Sequence, residues 1–282
     1  MKGKLARFVL ATTLMWSLSV GCAHAEVNMS CSDGGLLDDP ELTASLDAEP
    51  AEQTLLKEAS VGMTSNLTPP NATPDMASID DSVCSLNRYG YQTRSVTNYR
   101  QEKSYYCGPA TARQALGFHK AASHSVAALP CQWTLASKIG TERYRASSTA
   151  AIANALNSYK GTFGSNFTYI ASDIANTRSP FETFVNRIGT QLRSISQNPT
   201  TPIVLCQTRR ISRYNGVASR HYMTVSGIDD RVAPMRMRSV DPHYLSSYYG
   251  VRWENVGSTS TNGLCRAVYQ ADLDGTNKVM AW

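Results

Sequence analysis

Between residues 26 and 83 the chain has no Phe, Trp or Tyr and a single basic residue, Lys57. Twelve Asp and Glu stand against that lysine, a net charge of −11. Pro, Ser, Thr, Asn and Ala are common, as in Leu67-Thr-Pro-Pro-Asn-Ala-Thr-Pro74. Such a segment has too little apolar surface to offset chain entropy, which excludes a packed core and leaves a largely disordered linker or pro-segment. Long hydrophobic runs are also scarce. Phe8–Val20 is one, short for a membrane span, and no second run follows it. A Gly-rich phosphate loop is missing too, since Gly161-Thr-Phe-Gly164 reads as a turn. Asp33, Asp38, Asp39 and Glu41 lack the spacing of a calcium loop and read as solvated. His119 and His124 stand five residues apart, a poor zinc spacing, and read as surface histidines. The expectation is a chain without metal or cofactor.

Ahead of the acidic segment, Lys2, Lys4 and Arg7 precede the Phe8–Val20 run, and Ala23-His24-Ala25 forms a small-x-small site. This is the pattern of a signal peptide over 1–25, so a secreted or periplasmic protein with no transmembrane segment after cleavage is expected. Val20-Gly21-Cys22 resembles part of a lipobox, which leaves a lipoprotein anchored at Cys22 as the alternative; Ser19 stands where that motif wants an apolar residue.

Residues 84–282 differ from the acidic segment in almost every respect. Of 27 Lys and Arg, three lie in the leader and one in the acidic segment, leaving 23; of 22 Asp and Glu, ten remain, a net charge of +13. Roughly 200 residues suffice for a full core. The first half reads as helices: one opening at Cys107, others near Trp133–Ile139 and Ser148–Tyr159, and one from Ser179 to about Ser196. This last carries a capping box at Ser179-Pro-Phe-Glu182 and an apolar face of Phe181, Phe184, Val185, Ile188 and Leu192. The second half reads as strands at Pro202–Cys206, Tyr222–Ile228, Met235–Val240, Val251–Val256 and Leu264–Leu273. Helices followed by an antiparallel sheet make an α+β fold.

The stretch that carries chemistry is Tyr99–Phe118. Pro109 suits a first helical turn, and Ala110, Ala112, Ala115 and Leu116 continue the helix. Cys107 therefore sits at a helix N-terminus, where unpaired N–H groups and the dipole favour a thiolate. Gly108 removes bulk beside the sulfur, and Gln101 lies near enough upstream for its amide to donate to an oxyanion. A buried structural cysteine at a helix start is the plain alternative.

Gln101, then five residues, then Cys107-Gly108-Pro109-Ala110 resembles the bacterial peptidase C39-like families, within the papain-like cysteine peptidases. Two later strands add to the resemblance: His221-Tyr-Met-Thr-Val-Ser-Gly227-Ile-Asp229, then Met235-Arg-Met-Arg-Ser-Val-Asp241-Pro242. His221 follows Cys107 by 114 residues (221 − 107) and Asp241 follows His221 by 20 (241 − 221). Papain-type enzymes place the histidine roughly 130–150 residues downstream, so this is a compact version. The resemblance implies a papain-like fold with the Cys107 helix packed on the sheet. It implies Cys107 as nucleophile, His221 as base and acid, Asp241 as orienter of the ring, and Gln101 with the Cys107 N–H as oxyanion donors. His243 competes for the role of base.

The function implied is a secreted cysteine peptidase acting on a protein or peptide substrate. A papain-like acyltransferase or cell-wall amidase uses the same residues. A catalytically idle binding module lacks its usual mark, a missing nucleophile or base. Export makes disulfides plausible. With Cys107 free, Cys84, Cys131, Cys206 and Cys265 are expected to form two bridges, with Cys31 outside them. The charge split leads to a further expectation: residues 26–83 dock on the basic part near Arg209, Arg210, Arg213 and Arg220. The same arginines would equally meet an anionic surface.

Overall fold

A computed structural model gives the structure of the protein and describes residues 88–193, 199–276 and 278–282. The leader, the acidic segment, Cys31 and Cys84 lie outside the described residues.

Helix α1 runs over Cys107–Ser123 and ends at His124, whose left-handed φ of 53° turns its N–H back to the Lys120 and Ala121 carbonyls. Pro109 occupies its first turn, and Ala110, Ala112, Ala115 and Leu116 are buried. Small side chains nearly all round let this helix be enclosed by its neighbours. Helix α2 (Gln132–Ile139) stops at Gly140, where φ is 76°. Helix α3 (Thr149–Asn157) is capped by Ser148, whose Oγ accepts the Ala151 N–H at 3.1 Å. Helix α4 (Pro180–Leu192) has the expected proline in its first turn and buries Phe184, Val185, Ile188 and Leu192. The expected capping box does not form. Ser179 makes no side-chain cap bond, and only its carbonyl is engaged, by the Thr183 N–H.

The strands are β1 (Tyr91–Thr93), β2 (Ala171–Ser172), β3 (Ile203–Gln207), β4 (Arg220–Asp229), β5 (Arg236–Asp241), β6 (Gly250–Asn255) and β7 (Met280–Ala281). They form one antiparallel sheet in the order β2-β7-β3-β4-β5-β6, with β1 added on β4. The fold is thus mixed helix and antiparallel sheet. Residues Leu264–Leu273 are not a strand: Leu264–Ala271 is helix α5. Leu264, Ala267, Val268 and Ala271 recur at helical spacing, and all four are buried. That periodicity outweighs the β-propensity of Val268 and Tyr269.

The core lies between the helices and the sheet, with Leu116, Ile152, Leu156, Phe184, Ile188, Ile203 and Val225 in one cluster. Truncating one such residue, for example Leu116→Ala, costs about 2–5 kcal/mol. The expectation of a surface His119 fails, because its ring lies in this layer, stacked 3.9 Å from the Phe167 ring centroid and bonded to the Tyr169 hydroxyl at 2.9 Å. His124 is exposed.

Strand β4 is central. Its residues from His221 to Asp229 are all buried. It begins at the rim where β5 ends, so His221, second in β4, and Asp241, last in β5, meet there. Helix α1 is tied to the same rim. Thr224 on β4 donates to Gln114 Oε1 at 2.7 Å, Gln114 donates to Asn98 Oδ1 at 2.7 Å, and Asn98 donates to the Asp241 carbonyl at 2.9 Å.

Candidate active site

Cys107 is the first residue of α1 and is partly exposed. Its thiol is reduced. The sulfur contacts the His221 ring and accepts the backbone N–H groups of Tyr222 and Gly108. Burial alone would push this thiol up. The bond to His221 and its charge, then the two N–H groups, outweigh burial and bring the pKa below the ordinary thiol value.

Gly108 has a steric reason for its place. A Cβ there would lie 2.1 Å from Ser147 Oγ and 2.5 Å from Ser147 Cβ. Ser147 is held in turn by Thr141, hydroxyl to hydroxyl at 2.7 Å. The close approach brings the loop before α3 against the start of α1.

His221 turns Nε2 to Asp241 Oδ1 at 2.8 Å, which leaves Nδ1 for Cys107. Burial works against a charged ring. The Asp241 carboxylate, and then Cys107, more than reverse it, raising the pKa to about 9. Asp241 has no solvent exposure and would be driven up by burial. The charge and hydrogen bond of His221, the Arg213 guanidinium and the Tyr214 hydroxyl pull its pKa down to about 2. A sulfur, an imidazole and a carboxylate thus form one continuous hydrogen-bonded row, across the junction of α1 with β4 and β5.

His243 stands beside this row with its ring centroid 5.1 Å from that of His221. Its backbone N–H donates to Asp241 Oδ1 at 2.9 Å, and its Nδ1 accepts the Leu245 N–H at 3.0 Å. Burial, then the charge of His221, lowers its pKa to about 3, so the ring is neutral. No contact joins it to Cys107 among the bonds described.

Gln101 is buried in the loop before α1, its N–H bonded to the Pro242 carbonyl at 2.7 Å. Its carboxamide NH2 donates to the carbonyls of Lys103 and Ser104, at 3.0 and 2.7 Å. Its donors are therefore held by the loop, near α1 but not turned to the Cys107 sulfur.

Three residues not assigned to the site from the sequence complete it: Arg213, which read there only as part of a basic cluster, Tyr214 and Glu254. Arg213 donates through Nη2 to Asp241 Oδ2 and through Nη1 to Glu254 Oε1, each at 2.5 Å. The Tyr214 hydroxyl donates to the same Asp241 oxygen at 2.5 Å. Both lie in the Ser212–Tyr214 turn between β3 and β4, while Glu254 is on β6. Arg213 and Glu254 are 41 residues apart, so nothing in local spacing pairs them. Arg213 is spent internally on two buried carboxylates, and Arg210 bonds Gln270 Oε1 at 3.3 Å. Arg209 and Arg220 are exposed.

The expected pair of disulfides is corrected as well. Neither Cys206 nor Cys265 is in a disulfide, and both are fully buried. Cys206 lies opposite His221 in the β3–β4 register. Burial pushes its thiol well above the ordinary value, so it stays protonated. No group of His, Cys, Asp and Glu suited to a metal occurs among the described residues. No helix among them is long and apolar enough to cross a membrane.

With this arrangement in view, comparison with known proteins places the chain. The model of the Peptidase_C39 like family matches residues 93–261, more than half of the sequence, and the chain belongs to that family. The match spans Gln101, Cys107, His221, Asp241, Arg213, Tyr214 and Glu254. No curated protein matches the chain.

Proposed function

We propose that this protein is an exported papain-like cysteine peptidase that hydrolyses peptide bonds through Cys107, His221 and Asp241. The observation that carries the reading is the hydrogen-bonded row from the Cys107 sulfur through the His221 ring to the Asp241 carboxylate. A lowered thiol beside a raised imidazole is the condition for a thiolate–imidazolium pair at neutral pH.

In this reading the Cys107 thiolate attacks the carbonyl carbon of the scissile bond. A C–S bond forms and the carbonyl electrons move onto oxygen. The tetrahedral intermediate collapses, the C–N bond breaks, and the leaving amine takes the proton from His221. Water then attacks the thioester carbonyl as His221 accepts its proton, the C–S bond breaks, and the acid product leaves with Cys107 restored as the thiolate. Asp241 orients the ring throughout and stabilises its charged form whenever it is protonated. The Cys107 N–H receives the oxyanion, together with Gln101 once one of its N–H bonds passes from a loop carbonyl to substrate; such contacts tighten on binding.

Export is supported by the leader pattern over 1–25. We place residues 26–83 as a detachable acidic pro-segment or tether. With Arg213 engaged inside, the exposed Arg209 is the member of the basic cluster we assign to attract it.

The test is labelling with an epoxide inhibitor, followed by peptide mapping and a casein assay. Label on Cys107, with casein cleavage lost in Cys107→Ala, is the expected result. Full cleavage by Cys107→Ala would overturn the mechanism.

A further inference from the structure

Asp241 receives more than its role beside a histidine requires. Four donors converge on its two oxygens. His221 Nε2 and the His243 N–H reach Oδ1 at 2.8 and 2.9 Å, and Arg213 Nη2 and the Tyr214 hydroxyl reach Oδ2 at 2.5 Å each. Arg213 is itself fixed by a second carboxylate, Glu254, and its guanidinium lies 4.9 Å from the Tyr214 ring centroid. The groups in contact with Asp241 are therefore His221 on β4, Arg213 and Tyr214 on the turn and His243 just after β5; Cys206 on β3 feels its charge, and Glu254 on β6 is linked through Arg213.

We propose that Arg213, anchored by Glu254 and assisted by Tyr214, is the positioning unit of the site: it makes position 241 a carboxylate-only position and thereby holds the Cys107–His221 ion pair. The proposal rests on the reading of Cys107 and His221 above. Its basis is donor counting. An aspartate offers an acceptor on both sides. An asparagine offers one oxygen and one NH2. Turned with oxygen to His221, its NH2 faces the Arg213 guanidinium, which has only donors. Turned the other way, its NH2 faces the His243 N–H. The Tyr214 hydroxyl can reverse to accept, but Arg213 and the His243 backbone cannot. An amide would serve where only the imidazole needs orienting, yet here it leaves buried donors opposed. The low pKa of Asp241 agrees, since Arg213 and Tyr214 both lower it.

The experiment reads the thiolate, not hydrolysis. The full chain is alkylated with iodoacetamide between about pH 3 and pH 9, and modified Cys107 is quantified by peptide mapping, because alkylation follows the thiolate. Wild type is expected to show an acid midpoint well below that of an ordinary thiol. Asp241→Asn is expected to raise the midpoint by at least about one pH unit, a tenfold loss of thiolate at a fixed acid pH. Adding Arg213→Met and Glu254→Gln to Asp241→Asn removes the opposed cation together with its second anion. The midpoint is then expected to return part of the way, as the Tyr214 oxygen accepts from the amide. Tyr214→Phe alone, which leaves no charge unpaired, is expected to raise it by about half a unit.

A merely structural cluster predicts the reverse: a triple variant worse than Asp241→Asn. A midpoint that does not fall in a folded triple variant overturns the proposal. If that variant does not fold, an unchanged midpoint in Tyr214→Phe overturns it. A wild-type midpoint near the ordinary thiol value of about 8.5 would instead overturn the ion-pair reading itself, and the clamp with it.

Discussion

His221 and His119 are both buried and both hydrogen-bonded to an oxygen, yet their rings are driven in opposite directions. His119 lies on α1 itself, 12 residues after Cys107 (119 − 107), stacked on Phe167 and bonded to the Tyr169 phenol. Burial lowers its pKa to about 4. Burial pushes His221 the same way, yet it ends at about 9, because its oxygen partner is the Asp241 carboxylate and its other neighbour is Cys107. His243 sharpens the contrast. It touches Asp241 only through its backbone N–H, and its ring stays neutral. Burial therefore does not make a histidine a base; a charged partner on the ring nitrogen does.

The contrast breaks if the two residues respond alike to mutation. Cys107→Ala and His221→Ala are expected to abolish casein hydrolysis in folded protein. His119→Gln, which keeps a partner for Tyr169, is expected to leave turnover within about twofold. Loss of turnover in His119→Gln with an unchanged circular dichroism spectrum would remove the distinction. Gln101→Ala comes next, with turnover lowered by roughly 10²–10³ if it acts as an oxyanion donor. Steady-state kinetics on a fluorogenic peptide measures it. Wild-type turnover would leave Gln101 as a loop brace on Lys103 and Ser104.

Stability against pH sharpens the same comparison. The folded His119 pKa of about 4 lies below the ordinary 6.5, so the unfolded chain binds the extra proton. Its contribution is present above about pH 6.5 and is lost as pH falls toward 4. The folded His221 pKa of about 9 lies above 6.5, so its contribution is full below pH 6.5 and is lost as pH rises through 9. Urea melts of His119→Gln are expected to lose part of the acid-side slope between pH 6.5 and 4, up to roughly 3 kcal/mol, with the alkaline side unchanged. An acid slope identical to wild type would assign that slope elsewhere.

The smallest effect is expected from the acidic segment. Residues 84–282 should be a few-fold more active than residues 26–282 at low salt, and salt should narrow the gap, because exposed charges are screened within roughly 10 Å at 0.1 M. Equal activities at low salt would leave the segment a spacer.

These contrasts were unevenly legible in the sequence. Cys107-Gly-Pro-Ala announces its helix by local chemistry, and the strands carrying His221 and Asp241 are adjacent in the chain, so their meeting could be read in advance. The α4 face was legible from its period. The error at Leu264–Ala271 came from weighing residue type over spacing. Glu254 left no trace and Arg213 read only as one of a surface basic cluster, because a charged residue in a loop or strand looks solvated until long-range packing covers it. The donors of Gln101 were equally hidden, since the Lys103 and Ser104 carbonyls that hold them are backbone groups.

Glu254 lies on β6, so the anchor of Arg213 is among the later parts of the chain to be synthesised. A ribosome makes Cys107 114 residues before His221 (221 − 107) and 147 before Glu254 (254 − 107). At about 5–20 residues per second, the thiol exists for roughly 7–29 s before its anchor does. For the first 114 of those residues no His221 exists to ionise Cys107, and its sulfur is that of an ordinary cysteine. Order of synthesis thus sets the sulfur in the chain well ahead of the groups that shift its pKa.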